Sequence, residues 1–297
     1  MASLESSELL LNHDGSIYHL NLFPDEVAPN VILVGDPGRV SMVSDHFDRI
    51  RYKKSNREMI THTGEYNNMP ISVISTGMGT DNIDIVMNEL DAVFNIDLHK
   101  REIKSMHTAL NIIRIGTSGA LQSGIEPDTT IVSTHGIGLD GMLYYYRNLD
   151  RVMNHDMTEQ FISQLSWPSI LPKPYFVEAG KNLLKAIGGG YTQGITATAP
   201  GFYAPQGRKL RLGTFLPDLN GLLQSYNYHN LRITNFEMET SALYGLGLMM
   251  GHNTLTLTNI VANRVDKTHS TNYRPAMEKL IINVLDRLSG VKSVNAD

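Results

Sequence analysis

Apolar residues along this chain come in short continuous runs, and glycine follows them. Val31-Ile32-Leu33-Val34 leads into Gly35-Asp36-Pro37-Gly38-Arg39, and Ile71-Ser72-Val73-Ile74 into Ser75-Thr76-Gly77-Met78-Gly79. Ile112-Ile113-Arg114-Ile115 leads into Gly116-Thr117-Ser118-Gly119. Apolar, β-branched runs closed by glycine predict buried strands ending in tight loops. Residues 130–133, 194–198 and 255–262 add three more candidates. Between the strands the apolar spacing turns helical. Residues 81–98 place Ile83, Val86, Met87, Leu90, Val93 and Phe94 on one face. Residues 241–250 are apolar almost all round and predict a buried helix, and residues 276–288 predict an amphipathic closing helix. Strands alternating with helices predict an α/β fold with a largely parallel sheet, whose ligands sit at the carboxyl ends of the strands. The glycine loops fall at those ends.

Residues 167–175 hold Pro168, Pro172 and Pro174 and predict an ordered excursion within one domain, since the strand pattern resumes at Gly194. The polar segment 99–107 predicts an exposed insertion. Residues 1–15 read as an N-terminal tail and residues 16–297 as a single domain.

Composition narrows the classes. The 297 residues can bury a large core unaided, and the absence of cysteine excludes disulfides and thiolate metal sites. It also fits a reducing cytoplasm, the expected location. A net charge of -5 argues against nucleic acid as the main partner. No apolar run nears the roughly 18 residues of a spanning helix, and Leu9-Leu10-Leu11 is too short for a signal peptide. The partners expected are small molecules, with no nucleic acid and no membrane.

Several residues have the chemistry of a binding site. Gly35 and Gly38 let backbone approach a ligand, and Arg39 adds charge beside them. Arg114 lies inside an apolar strand and needs a counter-charge, which phosphate or an internal carboxylate could supply. Thr117 offers a hydroxyl nearby. Arg57, after Lys53-Lys54-Ser55-Asn56, is a third anion candidate, although Arg39 and Arg57 also read as surface residues. Neither GxxxxGK[ST] nor a complete GxGxxG follows the strands. In Glu237-Met238-Glu239 the two carboxylates can hold vicinal sugar hydroxyls, or they can complement a helix N-terminus. Phe202, Gln206 and Arg208 can stack on and hydrogen-bond a flat heterocycle, or they form an ordinary Pro/Gly loop. His13, His19, His62 and His135 show no metal spacing, so no metal is expected. No GxSxG elbow is present.

Four segments in order, GDPGR (35–39), RIGTSGA (114–120), FYAPQGR (202–208) and NFEMETSAL (235–243), make the chain resemble the nucleoside phosphorylases, nearest their uridine-cleaving branch. The similarity runs from about His19 to the final helix. It implies a single α/β domain with a mixed, barrel-like central sheet flanked by helices. It implies a pentosyltransferase that converts uridine and phosphate reversibly into uracil and ribose 1-phosphate, working as a homo-oligomer, a dimer or a hexamer. By this resemblance Gly35, Arg39, Arg114 and Thr117 hold phosphate, and Arg57 is lent to that site by a neighbouring subunit. His19 is the neighbour's histidine near the ribose 5′-hydroxyl. Met238 and Glu239 contact ribose. Phe202, Gln206 and Arg208 hold the base, with Glu237 nearby. By the same resemblance Arg208, Gln206 and Glu239 are the catalytic residues.

Phosphate is then a co-substrate and no cofactor is needed. In some relatives a glutamate matching Glu58 binds potassium between subunits, but Asn82 stands here for a serine and argues against that ion. Pro205 replaces a more usual glycine. Purine-specific relatives carry an acid after a late strand. Residues 258–264 hold none, and the next acid is Asp266, which favours a pyrimidine. The rivals are a nucleosidase of the same fold and a nucleoside binder without turnover.

Overall fold

The continuous apolar runs are the inner strands of one large sheet, in a computed structural model that describes residues 3–290. The first half of the chain holds β1 (Asn30–Val34), α1 (Gly38–Ser44), β2 (Arg49–Asn56), β3 (Met59–Tyr66), β4 (Met69–Ser75) and α2 (Thr80–Asn95). The short β5 (Ile96–Asp97) and β6 (Glu102–Ile103) follow, then β7 (Asn111–Ala120) and β8 (Thr130–Gly138). The second half holds α3 (Leu149–Val152), α4 (His155–Leu165), β9 (Tyr175–Glu178), α5 (Lys181–Ile187) and β10 (Thr192–Thr198). After these come α6 (Leu219–Ser225), β11 (Asn227–Tyr228), β12 (Leu231–Glu237), α7 (Thr240–Met250), β13 (Asn253–Asn263), β14 (Thr268–His269) and α8 (Arg274–Ser289).

β1 lies between two parallel partners, β4 and β7. A strand covered on both faces has no polar side to present, which explains its unbroken apolar run. Five strands close into a barrel. β7 pairs with β13, β13 with β8, β8 with β10, β10 with β12, and β12 returns to β7. The β13–β8 and β12–β7 contacts are antiparallel and the other three parallel, so the sheet is mixed. From β7 the sheet extends through β1, β4 and β3 to β2. β2 is the edge strand and exposes Arg49, Arg51 and Lys53, charges that discourage pairing with another chain.

α2 buries Ile83, Val86, Met87, Leu90 and Val93 and packs on α7. α7 is buried from Thr240 to Gly247, because it lies between α2 and the barrel strands. α8 buries Met277, Leu280, Ile281, Val284, Leu285 and Leu288, and its Arg287 donates to the carbonyls of Ile187 and Gly189.

Three expectations change. Gly116-Thr117-Ser118-Gly119 is no loop; β7 runs through it to Ala120, because β13 and β12 both pair with that stretch. The helix expected over 81–98 stops at Asn95, and Ile96–Asp97 pairs with Glu102–Ile103 inside the exposed insertion. The segment set apart as a tail is, from residue 3 on, packed against the body. Leu9 is in the main core, Leu11 bridges Ile17, and the Leu4 N–H donates to the Arg101 carbonyl. Residues 1, 2 and 291–297 of the two expected spans lie outside the described residues. The 167–175 segment joins α4 to β9 within the same body, as expected. Among the described residues no helix is long and apolar enough to cross a membrane.

Candidate active site

A cleft of about 560 Å³ opens where several strand tips meet. The end of β1 contributes Gly35, and α1 contributes Arg39. The loop after β4 contributes Gly77 and Met78, and β7 contributes Arg114 and Thr117. The loop after β10 contributes Phe202, Gln206 and Arg208, and the β12–α7 junction contributes Glu237, Met238 and Glu239. All the candidate residues named from the sequence line this cleft except Gly38, His19 and Arg57.

One end is cationic. Arg114 is 4% exposed. Its Nη2 donates to Glu239 Oε2, its Nε lies 3.5 Å from Glu237 Oε2, and Nε and Nη1 have no hydrogen-bond partner. The sequence left phosphate and an internal carboxylate as alternatives for Arg114. The carboxylate is there, and donors are left over. Arg39 is also buried, with Nη1 3.3 Å from the Ile115 carbonyl. Burial, then the charge of Arg114, pushes the Arg39 guanidinium pKa down. Unpartnered buried N–H groups are costly, and a bound anion would satisfy them. Space at Gly35 is tight, since a Cβ there would lie 3.3 Å from the Gly77 carbonyl.

At the β12–α7 junction the two readings of the acidic triplet divide between its members. Glu237 accepts from the Thr198 hydroxyl (2.8 Å), the Glu239 N–H (2.9 Å) and the Thr240 N–H (2.9 Å). It is a helix-capping acid that also borders the cleft. Burial, then the nearby Glu239 charge, raises its pKa, and Arg114 opposes the rise. Glu239 pairs with Arg114, and its Oε1 accepts the Gly79 N–H at 2.8 Å. Gly79 has φ 104°, where glycine is favoured, and that turn aims its N–H at the carboxylate.

The other end suits a planar ligand. Pro205 lies in a 3-10 turn, Ala204–Gln206, which Gly207 ends with φ 67°. The turn brings Gln206 and Arg208 together. Arg208 Nη1 donates to Gln206 Oε1 (2.6 Å) and to the Phe202 carbonyl (2.6 Å), and Arg208 Cζ stacks 3.7 Å from the Phe202 ring centroid. Gln206 is buried, while Phe202 is 51% exposed. Burial, then Arg264, lowers the Arg208 pKa to about 10. Arg264 itself was missed from sequence. It follows β13, burial lowers its pKa, and its Nη1 is buried without a partner. The available signal was an arginine just past an apolar strand, the same rule that singled out Arg39. Asp266 does not line the cleft; its carboxylate accepts from Ser123, Gly124 and Asn263.

His19 and Arg57 form a patch of their own with Tyr18 and Asn56. The His19 Nδ1 is 2.6 Å from Glu89 Oε1, Arg57 Cζ lies 6.0 Å from the Tyr18 ring centroid, and Asn56 Nδ2 donates to the Tyr18 and His19 carbonyls. Another cluster escaped the spacing argument, because its members are distant in sequence. Asp91, His107 and His252 place one potential ligand atom each within 4.8 Å of one another. The Leu110 N–H donates to His252 Nδ1, which assigns the neutral ring's proton to Nε2, 3.3 Å from Asp91 Oδ1. A ligating nitrogen must be unprotonated, with its ring partner donating outward. The group is therefore an Asp–His pair, poorly suited to hold a metal.

Known proteins resemble this chain over most of its length. The phosphorylase superfamily model matches residues 29–288. A uridine phosphorylase of Thermococcus kodakarensis is 32% identical over 266 residues, covering 88% of this chain and 82% of that one. A DeoD-type purine nucleoside phosphorylase of Streptococcus suis is 25% identical, covering 85% and 89%. A solved nucleoside phosphorylase of Trypanosoma brucei, described as showing uridine phosphorylase activity, superposes with a TM-score of 0.86 at 33% identity, over 96% of this chain and all of that one. With a match spanning nearly its whole length, this chain belongs to the phosphorylase superfamily.

Proposed function

We propose that this chain catalyses the reversible phosphorolysis of uridine, giving uracil and ribose 1-phosphate. The observation that carries the reading is one cleft holding both the buried Arg39 and Arg114, the latter with donors to spare, and the stacked Phe202–Gln206–Arg208 unit. The Thermococcus and Trypanosoma proteins support uridine as the substrate, at identities above that of the purine enzyme.

Phosphate binds at Arg39, Arg114, Thr117 and the backbone of Gly35. Glu239 accepts ribose hydroxyls, and Met238 packs on the sugar. Phe202 stacks on uracil. One phosphate oxygen forms a bond to the anomeric carbon while the glycosidic C–N bond breaks. Its electron pair moves into the pyrimidine ring, and the uracil anion takes up the proton that hydrogen phosphate gives up. The phosphate dianion stabilises the positive charge on the sugar. Arg208 and Gln206 stabilise the negative charge growing on the base, where hydrogen bonds strengthen with that charge. No side chain acts as nucleophile, and positioning supplies much of the rate. The lack of a cleft carboxylate at Asp266 supports a pyrimidine over a purine leaving group.

His19 and Arg57 complete a neighbour's site in this reading, so the working unit is at least a dimer, and a hexamer by family likeness. Phosphate is the only co-substrate. Asn82 Nδ2 already faces Glu58 Oε1 at 3.4 Å, which weighs against a cation there. A cysteine-free chain suits the cytoplasm.

The test is uridine turnover with and without phosphate. Uracil and ribose 1-phosphate should form only when phosphate is present, and inosine should be a poor substrate. Uracil release at the same rate in phosphate-free buffer would replace the proposal with a nucleosidase.

A further inference from the structure

Each of the five barrel strands turns one polar side chain toward the others. These are Ser118 from β7, Thr258 from β13, Asn235 from β12, Thr196 from β10 and Ser133 from β8, all buried. Polar groups in such a place must satisfy one another, and apolar side chains could fill it without that demand. Asn235 is the hub. Its Nδ2 donates to Ser118 Oγ (2.9 Å) and Thr258 Oγ1 (3.2 Å). Its Oδ1 accepts from Thr196 Oγ1 (3.0 Å) and Thr234 Oγ1 (2.8 Å). Both N–H bonds and both lone pairs of one amide are thereby used. Ser118 also bonds Thr258 (2.8 Å), and Ser133 bonds Thr196 (2.5 Å).

The hub sits where the barrel closes. Asn235 lies opposite Ala120 of β7, and beside Thr196 at the register shift between β10 and β12. Each strand it ties continues into the cleft. Ser118 is flanked by Thr117 and Gly119 in the cleft wall. Glu237 and Glu239 follow Asn235 by two and four residues. Thr198, two residues after Thr196, holds Glu237. Asn235 itself does not line the cleft.

We infer that Asn235 is a positioning residue, whose side-chain amide sets the spacing between the β7 wall that holds phosphate and the β12–α7 junction that holds the sugar. This rests on the phosphorolysis reading. No other uncharged side chain of its size donates twice and accepts twice from one plane, so both walls are locked by a single group.

Asn235→Asp and Asn235→Leu in the full chain test it, with kcat, both KM values, phosphate affinity by calorimetry and the melting temperature recorded beside wild type. A buried aspartate has a raised pKa, and its ionised form offers no donor to Ser118 or Thr258. At about pH 9, Asn235→Asp should lose about 30- to 100-fold in kcat, with phosphate affinity within about threefold. As the pH falls toward about 6, its kcat relative to wild type should recover, because a protonated carboxyl again donates and accepts. A purely structural role would leave the folded fraction with wild-type kcat, or with a deficit that ignores pH, and either result overturns the inference. Asn235→Leu, where it folds, should show a deficit at every pH, and wild-type kcat there also overturns it. Wild-type turnover in the same assay vouches for the parent reading, so an unimpaired variant beside it would strike only the positioning role.

Discussion

Arg114 is where burial and charge conflict most openly. Its two acidic partners cover one side of the guanidinium, and two of its nitrogens remain without a partner. At the other end of the cleft Arg208 is stacked, half-buried and easier to deprotonate than usual. Arg208→Ala should lower uridine turnover about 100-fold or more, the usual cost of losing a donor aimed at developing charge, while phosphate affinity changes little. Steady-state kinetics with phosphate calorimetry checks this, and unchanged turnover would remove Arg208 from the base site. Glu239→Ala removes the proposed ribose acceptor and leaves Arg114 less neutralised. The KM for uridine should rise at least tenfold, an effect of about 1.4 kcal/mol or more, and wild-type kinetics would take Glu239 out of the site. A pH effect belongs to His135, whose pKa burial lowers below 6.5 despite Glu178. The folded chain keeps this ring neutral where the unfolded chain would protonate it. Stability is therefore intact above about pH 6.5 and falls as the pH drops through that value. His135→Gln should shrink the loss of melting temperature between pH 7 and 5.5, and an unaltered slope would refute the assignment.

Elements and their ends account for most of what could be read early. The runs at β1 and β4 are largely apolar because both faces of those strands are covered, so composition revealed them, while β8, β10 and β13 mix apolar residues with buried Ser and Thr. α2 and α8 showed themselves by period. β2 and β3 gave no such signal, since an edge strand rich in Arg and Lys resembles a loop. Gly116 to Gly119 misled in the opposite direction. Glycine suggests a turn, yet two pairing partners hold it extended. Gly79 shows a glycine whose conformation the turn does require. Its Cβ would lie 2.5 Å from Asp81 Oδ1, at a φ that side chains avoid. Gly79→Ala should cost about 1–3 kcal/mol of stability, and it should weaken uridine binding through the displaced Glu239 contact. Thermal melts with uridine KM measure both, and a stable variant with normal KM would show the turn to be adaptable.

At the level of the complete fold, barrel closure is what makes the site. It brings β7 and β12 together, and with them an arginine and a glutamate that lie 125 residues apart. His19 and Arg57, which this chain does not direct into its own cleft, are the residues that the proposed sharing between subunits concerns. Arg57→Ala and Arg114→Ala proteins, each nearly inactive alone, should regain part of the activity when refolded together, because some mixed sites then have both arginines. Mixed oligomers without any recovery would count against sharing.

The order of residues was enough to establish strand–helix alternation, a cysteine-free acidic chain and the chemistry of ten cleft residues, because burial on both faces, helical period and side-chain functional groups are local properties. It could not say that Glu237 caps a helix while Glu239 faces Arg114, that Arg264 stands beside Arg208, or that Asn235 bonds to three neighbouring strands. Those facts depend on how a sheet curls and which strands meet when it closes, and hydrogen bonds between distant segments are decided only by that meeting.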